Sequence, residues 1–251
     1  MLLAHLIQAG YYGHPSGFFY GMSAGTMGSW ILIIVIGIVG WIVQARLQSV
    51  FAKYARVPFP GGLTGAEVAE KMLHDNGIRN VKVTHVAGHL TDHFNPQTMT
   101  VNLSDSVYAS RSVAAAAVAA HECGHAVQHA HAYAPLKMRS SLVPVISFAS
   151  NWMMWVLLIG MFTLNVFPQI MLFGIILFAA TTLFSFITLP VEIDASRRAV
   201  KWLSEAGVTN NRNYGAAVSA LRSAAYTYVV AALGSLATLL YYVMIFLGRR
   251  D

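Results

Sequence analysis

Long apolar runs dominate the hydropathy pattern of this chain. Asp, Glu, Lys and Arg are absent from three of these runs, at 1–45, 140–191 and 223–248. A helix needs about 20 apolar residues to cross the hydrocarbon core of a bilayer, so the middle run, which breaks at 165–168, is long enough for two. The pattern therefore predicts four transmembrane helices, at 28–45, at 142–164 and 169–189 (a hairpin over 142–189), and at 225–247.

The composition supports a membrane protein. Hydrophobic residues make up 56% of the 251 residues and charged residues only 10%, against about 45–50% and about 25% in average proteins. These values exclude a disordered chain and a coiled coil, and the single Cys123 excludes an intramolecular disulfide. Residues 1–27 are apolar and aromatic, but glycine and proline interrupt them. We expect an interfacial or partly inserted segment there, since a secretory signal would begin with basic residues.

The orientation follows from lysine and arginine, which concentrate in cytoplasmic loops. Fourteen of the 16 lie in 46–141 and 190–224, and the other two follow the last predicted span. With four spans these two segments share one side of the membrane, so we predict a multi-pass protein of the cell membrane with both segments in the cytoplasm. The net charge of +6 then reflects topology. The basic residues form no aromatic-laced cluster of the kind that binds nucleic acid, and we expect no such partner.

The first cytoplasmic segment, 46–141, has the signals of a small folded unit. Thr64 followed by Glu67 predicts a capping box for a helix over 66–76. Gly77 stands where a glycine commonly ends a helix.

Further along the same segment, alternating polar and apolar residues at 81–85 and 98–103 predict a short β-sheet. An alanine-rich stretch over 111–130, with Ser112 as its N-cap, predicts another helix. The predicted fold class is a mainly α, polytopic membrane protein whose cytoplasmic unit contains a short β-sheet.

An HExxH motif, residues 121–125, stands inside the alanine-rich helix. Histidines four residues apart lie on one helix face, so the rings of His121 and His125 can both reach one metal ion. Glu122 lies beside them and is placed to take a proton from an attacking water. The simpler alternative is a pair of histidines that pack in a core, but the small residues around the motif favour close approach of a substrate and other helices. The motif is typical of zinc proteases.

A catalytic zinc site needs a third protein ligand, and the chain offers few carboxylates. Glu192 and Asp194 come directly after the uncharged run 140–191, and a carboxylate where a span reaches the membrane surface is a functional candidate. For Glu192 the simpler alternative is a capping role in the helix after Pro190. Two residues apart means about 200° around a helix. Only one of the two carboxylates can face the histidines, and the spacing alone does not decide which.

Two stretches carry a resemblance to a known family. The pattern HExGHAxQ within 112–128 and the pattern LPVExDASRRA at 189–199 resemble the bacterial integral-membrane neutral zinc metallopeptidases. More distantly the chain is similar to the CAAX prenyl protease and heat-shock membrane protease group of gluzincins. The resemblance implies a gluzincin-like metalloprotease unit with one Zn²⁺ per chain. It also implies that His121, His125 and Glu192 are the ligands and that Glu122 is the general base.

The chain departs from the gluzincin pattern next to the third ligand. Gluzincins usually carry an aspartate four residues after that glutamate, but Ser196 stands there and Asp194 comes two residues after. The role of Asp194 next to the ligands is therefore open. Arg197 and Arg198 are candidates to stabilise an oxyanion or to pair with Asp194. His129 continues the row of His121 and His125 and is a further candidate for contact with the substrate or an oxyanion.

A substrate peptide is expected to bind in extended form along the predicted strand 98–103, because a peptide can add a strand to a sheet edge. The candidate residues for this contact are Asn95, Thr98, Thr100 and Asn102.

The sequence thus predicts an integral-membrane zinc endopeptidase that hydrolyses peptide bonds of membrane or cytoplasmic-face substrates. Its partners would be the lipid bilayer and a peptide or protein substrate. The alternative is a zinc-stabilised membrane chaperone or adaptor with little hydrolysis, but such a protein needs no base at Glu122. A metal transporter is disfavoured, since the spans carry only scattered polar residues.

Overall fold

The fold is known from a computed structural model that describes residues 24–88, 91–207 and 211–248. The elements follow in the order α1 (Ala24–Tyr54), α2 (Gly65–Asp75), β1 (Lys82–Val86), β2 (His93–Asn95), β3 (Thr100–Ser104), α3 (Asp105–Tyr108), α4 (Val113–Ala130), α5 (Ala134–Phe162), α6 (Pro168–Glu205) and α7 (Asn211–Gly248). The predicted N-terminal segment 1–27 lies outside the described residues, apart from the first turn of α1.

Four helices, α1, α5, α6 and α7, are long and apolar enough to cross a membrane. Their large apolar side chains point outward: Trp41 is 73% exposed and Phe162 is 83% exposed. Such surfaces suit contact with lipid and not with water. The chain turns between Phe162 and Pro168, where the sequence predicts the tip of the hairpin. The predicted class, a mainly helical protein with four spans and a small sheet, is confirmed.

The helices are longer than predicted, and α6 is the important case. The sequence places a boundary at Pro190, between a span and a separate segment, 190–224, but α6 continues unbroken to Glu205. Proline inside a helix costs about 3 kcal/mol or more. The helix continues because it packs beyond the proline on one face, at positions four residues apart and fully buried: Val191, Ala195, Ala199 and Leu203. Similarly α1 extends past residue 45 to Tyr54.

The sheet has three strands in the order β1-β3-β2. Strand β1 runs parallel to β3, and β2 runs antiparallel to it. The predicted strand 98–103 starts at Thr100 instead, because Met99 adopts a positive φ of 52° that ends the preceding turn. Strand β2 was not predicted, since three residues carry too little alternation to be recognised. Consequently β3 is the central strand and β2 forms an edge.

Helix α4 runs through the core of the folded unit between α2, the sheet, α6 and α7. Its start is fixed by Ser112, whose hydroxyl accepts a hydrogen bond of 3.2 Å from the backbone N–H of Ala115. The capping box of Thr64 and Glu67 and the positive φ of Gly77 at the end of α2 are also confirmed. The alanines of α4 are almost all buried, so neighbouring helices can approach it closely.

Helix α6 approaches α4 closely at Gly124, within the HExxH motif. A methyl group on Gly124 would lie 2.6 Å from the carbonyl oxygen of Ala195 on α6. Any larger residue would force α4 and α6 apart. The glycine therefore lets the part of α6 that follows Pro190 lie directly against the two histidines.

Candidate metal centre

Three potential metal ligands converge where α4 meets α6. His121 and His125 lie one turn apart on α4, with ring centroids 4.8 Å apart. Glu192 reaches them from α6: its Oε2 lies 3.2 Å from Nε2 of His121 and 3.6 Å from Nε2 of His125. Within the described part of the chain, these residues form the one group of three or more His, Cys, Asp or Glu that could hold a metal ion. Asp194 does not join it.

The donor set fits zinc. Zn–N and Zn–O bonds of about 2.0–2.1 Å in a tetrahedral site place the donor atoms about 3.3 Å apart, close to the separations between Glu192 and the two histidines. The side chains are shielded from solvent, at 13% exposed for His121, 10% for His125 and 4% for Glu192. Two imidazoles and one carboxylate are also a donor set of catalytic zinc sites, which keep a fourth position open.

Hydrogen bonds fix the outer nitrogen of each histidine. The hydroxyl of Ser196 lies 3.1 Å from Nδ1 of His121, and Oε1 of Gln128 lies 3.0 Å from Nδ1 of His125. With Nδ1–H donating to these oxygens, each Nε2 keeps a free lone pair toward the metal position. Partners of this kind set the tautomer and ring orientation of metal-binding histidines. Ser196 thus holds the ring of His121 from the position where gluzincins usually have an aspartate.

Asp194 reaches the histidines only indirectly, through Gln128. Gln128 donates from Nε2 to the carboxylate of Asp194 at 2.8 Å and to the carbonyl of Val191 at 2.8 Å. Arg198 pairs with the same carboxylate at 2.6 Å. Asp194 therefore orients Gln128, which in turn orients His125. Of the two roles considered for Arg198, the structure shows the ion pair with Asp194.

A cation balances the charge of Glu192. Nη1 of Arg139, from the start of α5, lies 3.2 Å from Oε1 of Glu192, the oxygen that does not face the histidines. Burial lowers the pKa of His125, but contact with Glu192 and the charge of Glu122 raise it more, so its pKa lies above the ordinary value. A metal ion that binds Nε2 would therefore compete with a proton for that nitrogen.

Glu122 is positioned by the edge strand. Its Oε2 accepts a 3.1 Å hydrogen bond from the backbone N–H of Phe94 in β2. The residue is 8% exposed and lines a cavity of about 370 Å³ together with His125, Glu192 and Arg139. The carboxylate thus faces the space next to the three donors, as a general base would.

The structure corrects the predicted substrate strand. Strand β3 is paired on both sides, with β1 and with β2, so it has no free edge for a peptide. The edge strands are β1 and β2, and of these β2 lines the cavity beside the donors, where the N–H of Phe94 is bonded to Glu122. Of the four substrate candidates only Asn95 lies on that strand. The others are used within the sheet or its turn: Thr98 bonds to Thr100, and Asn102 bonds to Thr84, His93 and Thr100.

Two further candidates lie outside the centre. Arg197 is exposed on the opposite side of α6 and lines a separate cavity with Tyr214 and Arg222. His129 is exposed, and its ring lies 5.7 Å from that of Phe94. The structure brings neither of them to the three donor atoms.

Four residues of the site were missed by the sequence reasoning. Gln128 had a usable signal, since it stands three residues after His125 on the same helix face. Ser196 is one turn after Glu192 on α6, and the sequence marks it only as a departure from the gluzincin pattern. Arg139 and Tyr228 come from α5 and α7, and no local spacing connects them to the motif.

Cys123 is a packing residue. It is fully buried, and its thiol donates a weak hydrogen bond to the carbonyl of Ala69 at 3.5 Å. Burial, followed by the charge of Glu122, raises the pKa of the thiol well above its usual range.

We therefore expect Cys123 to resist maleimide in the folded protein, because the thiolate is the reacting form. Mass spectrometry should detect one adduct only after denaturation. Labelling of the folded protein at the rate of a small-molecule thiol would contradict this packing.

Comparison with known proteins identifies the class. Residues 29–247 match the family model described as "Putative neutral zinc metallopeptidase", and the chain belongs to this family. Among curated proteins it is 43% identical over 223 residues to "Putative membrane protease YugP" of Bacillus subtilis (strain 168), covering 88% of this chain and 97% of that protein. No solved structure matches the chain significantly. The expected resemblance to the membrane zinc metallopeptidases is thereby confirmed.

Proposed function

We propose that this protein is an integral-membrane zinc endopeptidase that hydrolyses peptide bonds of membrane or cytoplasmic-face substrates, with one Zn²⁺ per chain. The observation that carries the proposal is the convergence of His121, His125 and Glu192 within 4.8 Å, with the carboxylate of Glu122 beside them. Membership of a zinc metallopeptidase family supports it.

The residues of the site have distinct tasks in such a reaction. Bound zinc would supply Lewis acidity, which polarises a carbonyl and makes water nucleophilic near neutral pH. Glu122 takes the proton of the attacking water and passes it to the leaving amine. Ser196 and Gln128 hold the histidine rings, and Arg139 holds the outer oxygen of the ligand carboxylate.

The edge strand β2 supplies the means to hold a peptide. It lines one wall of the cavity that contains Glu122 and pairs with β3 on one side only. The N–H of Phe94 is bonded to Glu122, so a peptide would pair with the remaining outer groups of β2 or displace this bond. An extended peptide placed there would add a strand to the sheet. Its scissile carbonyl would then pass close to the three donors. This arrangement suits cleavage within a chain.

Removal of the metal tests the proposal directly. The protein purified in detergent should contain one zinc per chain by elemental analysis and should degrade casein or an unfolded membrane protein. Treatment with 1,10-phenanthroline should abolish degradation, and added Zn²⁺ should restore it. Degradation that survives complete loss of zinc would refute a zinc endopeptidase.

We further propose that the site faces the cytoplasm, as the distribution of lysine and arginine predicts. Single cysteines introduced at Lys82 and at Val166, which is 71% exposed in the turn between α5 and α6, report on opposite sides. In intact cells an impermeant maleimide should label V166C, on the outside, and not K82C, in the cytoplasm. The native Cys123 adds no background signal because it is buried. Labelling of K82C alone would show that the topology is the reverse of the proposed one.

A further inference from the structure

Two cavities meet at the metal centre. The strand cleft, about 370 Å³, lies between β2 and the start of α5 and contains His125 and Glu192. The apolar chamber, about 390 Å³, lies between the C-terminal part of α1, the N-terminal half of α4 and α7. Asp92, His121, Glu122 and Tyr228 line both. A molecule that reaches the reacting position from the cleft therefore also has access to the chamber.

The chamber is walled mainly by apolar and small side chains, and Gln48 is an uncharged polar one. Leu47, Phe51 and Ala52 come from α1, and Leu221 and Ala224 come from α7.

Among the described residues that line the chamber, the ionisable ones all belong to the wall near the metal centre. Besides His121, Glu122 and Tyr228, the wall contains Asp92. The carboxylate of Asp92 accepts two hydrogen bonds from Ser104, at 2.7 and 2.9 Å, so its charge is already compensated. Burying a charged group of a ligand against the remaining wall would be unfavourable.

The chamber lies at the membrane surface and not in the hydrocarbon core. Arg46 and Lys53 stand on the same turns of α1 that line it, and Arg222 stands next to Leu221 on α7. Charged residues are costly in the bilayer interior and collect at the ends of spans. The chamber can thus be reached by a peptide that lies along β2.

We propose that the apolar chamber is a specificity subsite that takes one large apolar side chain of the peptide substrate, at a residue flanking the scissile bond. This proposal rests on the proposed endopeptidase function. The chamber is large enough for such a side chain, since pockets of about 300–1,000 Å³ accept whole small-molecule ligands. The shared wall of His121 and Glu122 connects the chamber to the reacting position, so its occupant belongs to the reacting molecule.

A pair of neighbouring alanines gives a matched test. Ala224 lines the chamber, whereas Ala225 lines a separate cavity with Ile193 and Arg197. A224F should fill the chamber and A225F should not. Ala52, on the opposite wall, provides a second filling variant, A52F, in case A224F does not fold. Cleavage sites are then determined by mass spectrometry on a peptide library.

Wild type and A225F should prefer Leu, Phe or Met at one position next to the cleaved bond. A224F or A52F should lose this preference. The ratio of kcat/KM for the best peptide to kcat/KM for a peptide with Ala at that position should fall by about 10–200-fold, the usual size of an effect in an apolar pocket. No preference in the wild type, or equal effects of A224F and A225F, would overturn the proposal. A second result would also overturn it: native mass spectrometry finds an acyl lipid bound to the wild type but not to A224F, while the two proteins have the same cleavage specificity.

A binding measurement separates this proposal from the endopeptidase function. A peptide with p-benzoylphenylalanine next to the intended cleavage site is photo-crosslinked to the E122Q protein. Crosslinks to 47–55 and 221–228 are expected, and A224F should remove them. If the wild type hydrolyses nothing but these crosslinks form, the endopeptidase function fails and the subsite stands. If hydrolysis depends on Glu122 but the crosslinks lie elsewhere, the subsite fails alone.

Discussion

Glu122→Gln is expected to keep zinc, fold and membrane insertion while it lowers the rate of peptide hydrolysis by about 10²–10⁴-fold or more, the usual contribution of a general base. Glutamine has nearly the same shape as glutamate, and its amide oxygen can still accept the hydrogen bond from the N–H of Phe94. It cannot take a proton from water. The measurements are kcat on a peptide substrate and zinc content of the same preparation.

Glu205→Gln is the matched control. Glu205 is 65% exposed at the end of α6, where it pairs only loosely with Lys201 at 3.8 Å. The control loses the same charge far from the metal centre and should hydrolyse peptides at the wild-type rate. Undiminished turnover in the Glu122 variant would remove this residue from the mechanism. A zinc-stabilised chaperone or adaptor would then be the better description of the protein.

Removal of the third donor should have the second large effect. Glu192→Ala leaves two histidines and an unpaired Arg139 in a shielded site, so the protein should lose both zinc on dialysis and hydrolysis. His121→Ala and His125→Ala should behave in the same way. Metal content after dialysis and hydrolysis on added zinc are the measurements.

Asp194→Ala is the informative comparison, because Asp194 reaches the histidines only through Gln128. Loss of such an outer partner typically lowers metal affinity or activity by about 10–100-fold without abolishing it. Competition with a chelator of known affinity measures this directly. A metal-free Asp194 variant beside a zinc-loaded Glu192 variant would show that the wrong carboxylate has been assigned as the ligand.

The sequence was sufficient for features that depend on local spacing. The uncharged runs predicted all four spans, the pair of Thr64 and Glu67 predicted a helix start, and the HExxH motif predicted two rings on one face of α4. Each of these follows from helix periodicity or from the thickness of a bilayer, so no long-range contact is needed to recognise it.

Features that depend on packing between elements were not accessible in this way. Helix α6 passes through Pro190 because its far half buries against α4, and nothing near the proline in the sequence indicates this. The spacing of Glu192 and Asp194 leaves open which of them faces the histidines. The packing of α6 against Gly124 of α4 determines that it is Glu192. The edge position of β2 follows from the direct pairing of β1 with β3, which are neighbours in the sheet although β2 lies between them in the sequence.

The division of the three donors along the chain has a consequence for biosynthesis. Two donors precede α5, and the third lies in α6, 67 residues after His125. A growing chain that has completed α4 therefore has an incomplete metal centre until both spans are made and α6 has docked at Gly124. If the protein is the proposed endopeptidase, we expect hydrolytic competence only after α6 has docked. The order of synthesis would then keep an unfinished chain from acting on itself or on the machinery that inserts it.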